Sequence, residues 1–276
     1  MWELVRLSLN APVTVIYSAM YALWTLLILT EIGWSRVSGR KLYRRGELTA
    51  NLGLFAGYSL VNLFWVHAVF WLYTLAARFQ VAELGSGYWH LFGHGGWKEW
   101  VLLFVLEDLC FYSFHRFHHR IAFLWLAHVP HHSSPDFNLS TALRQTWTPF
   151  TAVVFWLPLA LLGFDPLMIM TMQMCSLFYQ FFLHTQVVTS LGPLEWVLNT
   201  PRHHRVHHAC NAPYADRNFG GVLIVWDRLF GTFARETAGN PVRYGVEPAV
   251  GSVNPVVIAL GGYVEWWRSL RKPGKA

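Results

Sequence analysis

Leu106-Glu107-Asp108-Leu109-Cys110-Phe111-Tyr112-Ser113-Phe114-His115-Arg116-Phe117-His118-His119 is the end of an apolar run that passes straight into a histidine motif. The run from Trp97 to Phe114 is long enough to cross a bilayer as a helix. His115 and His119 are four apart, so on that helix they share a face and can hold one metal. Two more groups follow, His128-Val129-Pro130-His131-His132 and His204-Arg205-Val206-His207-His208. Of the 14 histidines, 11 fall between His115 and His208.

The spacing predicts a defined metal site. In each H-x-x-H-H group the first and fourth residues share a helix face. The fifth points roughly 100° away from the fourth. It can reach a second metal, or the first from another direction. With His184, the candidate ligands are His115, His119, His128, His131, His132, His184, His204, His207 and His208. Nine imidazoles exceed what one metal uses, since zinc usually takes four ligands. Two metals fit the count. Imidazole suits iron, zinc, copper and nickel, so ligand type alone does not choose among them. His67, His90, His94, His118 and His203 are read as packed, hydrogen-bonded residues instead. Beyond the metal centre no catalytic side chain is expected.

Metal-bound imidazoles normally give their other N–H to a carboxylate or a carbonyl. Asp108, Asp136, Asp216 and Asp227 are the candidates for that role. Helix capping or turn formation is the structural alternative for each.

Composition supports a membrane setting. Hydrophobic residues make up 54% of the chain and charged residues 13%, against about a quarter charged in soluble domains. The net charge is +6, but the basic residues flank apolar runs, which points to topology and anionic lipid rather than nucleic acid. The three cysteines, Cys110, Cys175 and Cys210, are odd in number and far apart with no C-x-x-C pair, which argues against a disulfide framework or thiolate zinc site.

Five apolar stretches are expected to form helices: Ala11–Ile32, Leu52–Ala77, Trp97–Phe114, Trp147–Gly163 and Pro166–Leu183. The first is read as a retained anchor, not a cleaved leader. The last two should form a tight hairpin broken at Pro166, one that need not fully cross. The basic loop Arg36–Arg45 should face the cytoplasm, and the Phe79–Gly96 loop, free of Lys and Arg, the outside. The N-terminus then lies outside, and every histidine group falls on the cytoplasmic face. The expected fold is all-α, an integral membrane bundle of about four to five membrane helices with a cytosolic histidine-rich di-metal cap. One domain spans 1–276, with membrane helices in 1–96, the catalytic region in 97–235 and a tail in 236–276. Gly251–Tyr263 is expected to be interfacial or packed.

The residues from Glu107 to Thr232 resemble the fatty acid hydroxylase/sterol desaturase superfamily of membrane di-iron enzymes. The likeness rests on Asp108, Tyr112, His115-Arg116, His119, Trp125, His128, His131-His132-Ser133-Ser134, Thr200-Pro201, His204, His207-His208 and Trp226-Asp227-Arg228-Leu229-Phe230-Gly231-Thr232. Asn138-Leu139-Ser140-Thr141-Ala142-Leu143-Arg144-Gln145, with Tyr179-Gln180-Phe181 and His184-Thr185, is similar to its alkylglycerol monooxygenase branch. The resemblance implies two iron atoms, dioxygen as oxidant and a lipid substrate. It further implies tetrahydrobiopterin as a possible external reductant, and cleavage of an ether bond through hydroxylation of the adjacent carbon. Arg120 stands where this family often has Glu, which bears on how a reductant docks. Asn138, Arg144 and Gln145 are candidates to meet the substrate's polar head. A sterol, carotenoid or fatty-acyl hydroxylase or desaturase would use the same site. A membrane zinc hydrolase is disfavoured because no H-E-x-x-H motif is present, and a transporter would place its ligands within the helices.

Overall fold

The computed structural model describes residues 11–79 and 97–271. Residues 80–96 of the expected outer loop, with His90 and His94, lie outside the described residues. The described part is helical, and only isolated bridges such as Leu198 with Leu223 stand in for β-structure.

Two long helices open the described chain. Helix α1 covers Ala11–Val37 and α2 covers Arg45–Ala77. Both are long and apolar enough to cross a membrane. Gly39, at φ +70°, turns the chain between them. Helix α3, Trp97–Arg120, carries the apolar run and the first histidine pair without interruption. A single extended residue, Ile121, separates it from α4, Ala122–His132, which holds the second group.

The fourth apolar stretch departs from expectation. Trp147–Gly163 is not one helix but two 3-10 turns, Pro149–Thr151 and Val153–Phe155, and a short helix α5, Leu157–Leu162. Pro149 and Pro158 each lack the N–H that a continuous ladder needs. Gly163 ends α5 in a left-handed cap. Asp165 then caps α6, Pro166–Phe181, through a 2.8 Å bond from the Leu167 N–H. At about 1.5 Å per residue, α5 rises about 9 Å and α6 about 24 Å, against about 30 Å of hydrocarbon. The hairpin is therefore too short to cross as two straight helices.

Three short helices complete the chain: α7, Pro201–His207; α8, Val225–Leu229; and α9, Pro255–Leu270. The expected apolar segment at Gly251–Tyr263 lies largely in α9, whose Ile258 and Ala259 pack on Ala50 and Leu54 of α2. The main apolar core joins α2, α3, α5 and α6 through Tyr73, Leu103, Phe111, Trp156, Leu159 and Ile169.

Trp147 locks the break in the fourth stretch against α2. Its indole N–H donates to the Leu54 carbonyl at 2.9 Å, and its ring lies over Gly57. A Cβ at Gly57 would sit 2.2 Å from that ring. Gly57→Ala should therefore lower stability by about 1–3 kcal/mol. Thermal unfolding in detergent checks this, and an unchanged midpoint would show that the ring moves freely.

Candidate metal centre

Nine imidazoles converge where α3, α4, α7 and the end of α6 meet. They form two groups. His115, His119, His128, His132 and His207 make one, and His131, His184, His204 and His208 the other. Within each group the ligand nitrogens all lie within 4.8 Å of one another. All nine sequence candidates are brought together.

The pairing within the motifs differs from the simplest expectation. In the second motif, His128 and His132 enter one group and His131 the other. In the third, His204 and His208 pair and His207 crosses over. The first and fifth residues therefore go together, and the fourth does not join the first. A step of four residues leaves about 40° between side chains, less than the 60° left by a step of three. The two motifs thus exchange their fourth histidines, and the groups interleave. Rings of different groups touch where they cross: His132 stacks on His208 at 4.4 Å and His204 on His207 at 5.2 Å.

The outward-facing nitrogens are captured mostly by backbone. His115 Nδ1 donates to the Phe219 carbonyl at 2.8 Å and His207 Nδ1 to that of Arg217 at 2.9 Å. His184 Nδ1 donates to the Gln180 carbonyl at 2.9 Å and His131 Nδ1 to that of Arg144 at 3.3 Å. His119 Nδ1 meets Asp216 at 3.2 Å. His204 Nδ1 is buried with no partner among the described residues.

These bonds place the lone pairs inside. With Nδ1 protonated, Nε2 is an acceptor only. Yet His131 Nε2 and His184 Nε2 face each other at 3.2 Å. Further Nε2 contacts run from His115 to His128 at 3.0 Å, His132 to His207 at 3.0 Å and His184 to His204 at 3.0 Å. Two nitrogens each about 2.1 Å from one ion, at right angles, lie about 3.0 Å apart. His119 Nε2 is buried with no hydrogen-bond partner, inside its group. The donor set therefore fits a cation in each group. It is also neutral. Burial first, and then neighbouring imidazoles, hold His128, His132, His204, His207 and His208 well below the ordinary histidine pKa. Burial brings His184 down to about 4. Neutral imidazole is the ligand form.

Of the four aspartates, only Asp216 touches a candidate ligand. Asp108 accepts from the Val222 N–H at 2.7 Å, the Leu223 N–H at 3.0 Å and the Trp226 indole at 2.9 Å. Asp227 accepts from the N–H groups of Phe219 and Gly220 and from Thr232. Together they clamp the segment whose Phe219 carbonyl orients His115. Asp136 instead pairs with Arg44 at 2.7 Å. Asp216 and Asn218 take left-handed backbone, at φ +59° and +57°, in the loop that supplies the Arg217 and Phe219 carbonyls. Asp and Asn tolerate that region better than other residues with a side chain.

The proposed substrate residues are largely spent on structure. Asn138 caps the turn Leu139–Leu143 and donates to the Leu42 carbonyl. Arg144 is fully buried and pairs with Glu47 at 2.7 Å. Gln145 donates to the Ala142 carbonyl at 2.8 Å. Among the remaining described histidines, His118 bonds Thr151 and the Phe114 carbonyl, His203 packs on Phe233, and His67 bonds the Leu63 carbonyl. None of these three enters a group.

Two acids that the sequence reading passed over prove important. Glu31, buried in α1, accepts from the Leu139 N–H at 2.8 Å and from the Thr185 and Tyr43 hydroxyls. Glu47 accepts from Arg144 and from Ser134 at 3.1 Å. A charged group in an apolar helix was the available signal. Both acids tie the α1–α2 turn to the residues beside His131 and His184. The basic loop and the histidine groups therefore lie at the same end of the bundle.

Known proteins resemble the chain over the stretch that contains these residues. The fatty acid hydroxylase family model matches residues 100–232. The alkylglycerol monooxygenase of Danio rerio is 49% identical over 154 residues, 55% of this chain and 34% of that protein. The human alkylglycerol monooxygenase is 42% identical over 170 residues, 61% of this chain and 37% of that protein. Ornithine lipid hydroxylase OlsE of Rhizobium tropici is 30% identical over 148 residues, 53% of this chain and 45% of that protein. The chain thus spans less than half the length of each. No solved structure matches it.

Without metal, the buried imidazoles resist protonation that the unfolded chain accepts. Below about pH 6.5 the unfolded state therefore binds more protons, and stability falls as pH falls. Chelator-treated protein should lose stability from about pH 6.5 towards 4 in urea titrations. A flat profile over that window would contradict neutral burial of the groups.

The nine gathered imidazoles all lie within residues 100–232, the stretch that matches the fatty acid hydroxylase family model.

Proposed function

We propose that the chain is a di-iron, dioxygen-dependent membrane monooxygenase acting on a lipid. The observation that carries this reading is the pair of interleaved, inward-facing histidine groups within the matched family region. The nine histidines named above would hold two irons, one per group. Iron so held supplies activation of dioxygen for insertion into a C–H bond.

The balance sets what the protein must provide. One oxygen atom enters the substrate C–H bond and the other leaves as water. Each turnover consumes two electrons and two protons from an external reductant. The histidines hold their ring orientation through the carbonyls and Asp216. Phe137, Trp125 and Phe219 pack against the imidazole rings and exclude water.

An ether lipid is the first substrate to test, because of the identity to two alkylglycerol monooxygenases. Hydroxylation of the carbon beside the ether oxygen gives a hemiacetal, which collapses to a fatty aldehyde and a free glycerol hydroxyl. Tetrahydrobiopterin is the first reductant to test. Arg120, beside His119, makes other electron donors the second choice. The likeness to ornithine lipid hydroxylase OlsE favours a second reading, plain hydroxylation of a lipid acyl chain or another lipid with no ether cleavage.

In the membrane, α1 and α2 cross, α3 crosses towards the cage and the α5–α6 hairpin enters and returns from the same side. The basic Arg36–Arg45 turn faces the cytoplasm, and the metal site faces it too. The chain is one membrane-embedded oxygenase domain.

Protein purified anaerobically and loaded with ferrous iron should consume dioxygen and convert an alkylglycerol to aldehyde when given reductant. His207→Ala should reduce turnover by at least a hundredfold. Protein that takes up only zinc when iron is supplied, and is inert to dioxygen, would contradict the proposal. Hydroxylated product without aldehyde would select the second reading.

A further inference from the structure

Helix α3 provides a ruler along the bundle. Asp108 lies seven residues before His115, about 10 Å along the helix and inside the apolar run. Residues 222–226 are bound at that level by the three hydrogen bonds to Asp108. Phe230 stacks on Tyr112 at 5.3 Å, one turn nearer the cage. The chain after the third histidine motif therefore runs back alongside α3, away from the metal groups.

A second segment travels with it. Asn199 N–H donates to the Val222 carbonyl at 2.8 Å, and Ile224 N–H to the Val197 carbonyl at 2.9 Å. Tyr179 of α6 donates to the Asn199 carbonyl at 2.6 Å, below His184. Arg228 fastens the two segments by bonds to the Trp196 and Glu195 carbonyls. The turn Leu191–Val197 and helix α8 thus form one flap against α3 and α6.

The outer surface of this flap is apolar. Leu194 is 55% exposed, Trp196 63%, Val197 52%, Leu229 69% and Phe230 46%. Cations edge it: Arg228 lies over the Phe233 ring at 3.9 Å, and Arg235 lies near Trp196 at 5.5 Å. An indole flanked by guanidinium groups suits the boundary between headgroups and acyl chains.

We infer that this flap is immersed in the cytoplasmic leaflet, with Leu194, Trp196, Leu229 and Phe230 among lipid acyl chains and Arg228 and Arg235 at the phosphates. The inference rests on the proposed crossing of α3. Its occupant is the bilayer, because the flap lies at the depth of the apolar run and continues the lipid-facing surface of the bundle. Burial of about 5–10 Å below the headgroups is the range of interfacial segments. The bilayer then reaches within one or two helical turns of the metal groups, on the side where a lipid substrate approaches.

The full chain in phosphatidylglycerol/phosphatidylcholine vesicles, carrying a phospholipid with a diazirine in its acyl chain, tests this. After photolysis, adducts are mapped by mass spectrometry. Adducts on Leu191–Val197 and Val225–Phe230, at yields within about threefold of those on α1 and α2, are the expected result. Adducts on α1 and α2 alone would overturn the inference and leave the membrane reading intact. Adducts on none of these elements would overturn both. Leu194→Glu with Leu229→Glu should remove flap adducts and leave those on α1 and α2.

Discussion

Each imidazole in the cage has two nitrogens, and in five of the nine the fold commits Nδ1 to a partner outside. The Phe219, Arg217, Gln180 and Arg144 carbonyls, with Asp216, hold Nδ1–H and turn Nε2 inward. The inward-facing lone pairs of His131 and His184, 3.2 Å apart, repel one another unless a cation lies between them. Buried neutral imidazoles that cannot bond each other cost free energy in the metal-free state. A metal held by these groups would therefore stabilise the folded chain.

The remainder of the structure keeps those outside partners in place. Asp108 and Asp227 clamp the backbone that presents Phe219, and Gly221 allows the close approach, since a Cβ there would lie 2.7 Å from Phe111. Glu31 joins α1 to Leu139 and Thr185, and the Glu47–Arg144 pair fixes the turn whose carbonyl holds His131. A buried ion pair is costly to break. Arg144 is thus a positioning residue for the cage, spending its guanidinium on α2 and its carbonyl on a candidate ligand.

Much of this was legible in the sequence, for physical reasons. Histidines at helical spacing advertise a shared face, so eight of the nine candidates could be named from spacing, with His184 standing outside any motif. Apolar runs without breakers foretold α1, α2 and α3, while Pro149 and Pro158 ended a run that hydropathy alone would have continued. The grouping was harder to read, because His131 and His207 leave their own motif's pair and join the other group. The outer partners were mostly illegible, since every residue carries a carbonyl and only the fold decides which one faces a ring. Asp108 and Asp227 were expected beside the ligands and act instead one step removed, through the Phe219 backbone.

The exchange of histidines between motifs is the central claim, and metal counting tests it directly. His128 and His132 belong to one group, whereas His131 and His132 belong to different ones. Iron per chain should fall from near two to near one in His128→Ala/His132→Ala protein, and towards zero in His131→Ala/His132→Ala protein. Equal retention of one iron in both variants would contradict the interleaved arrangement.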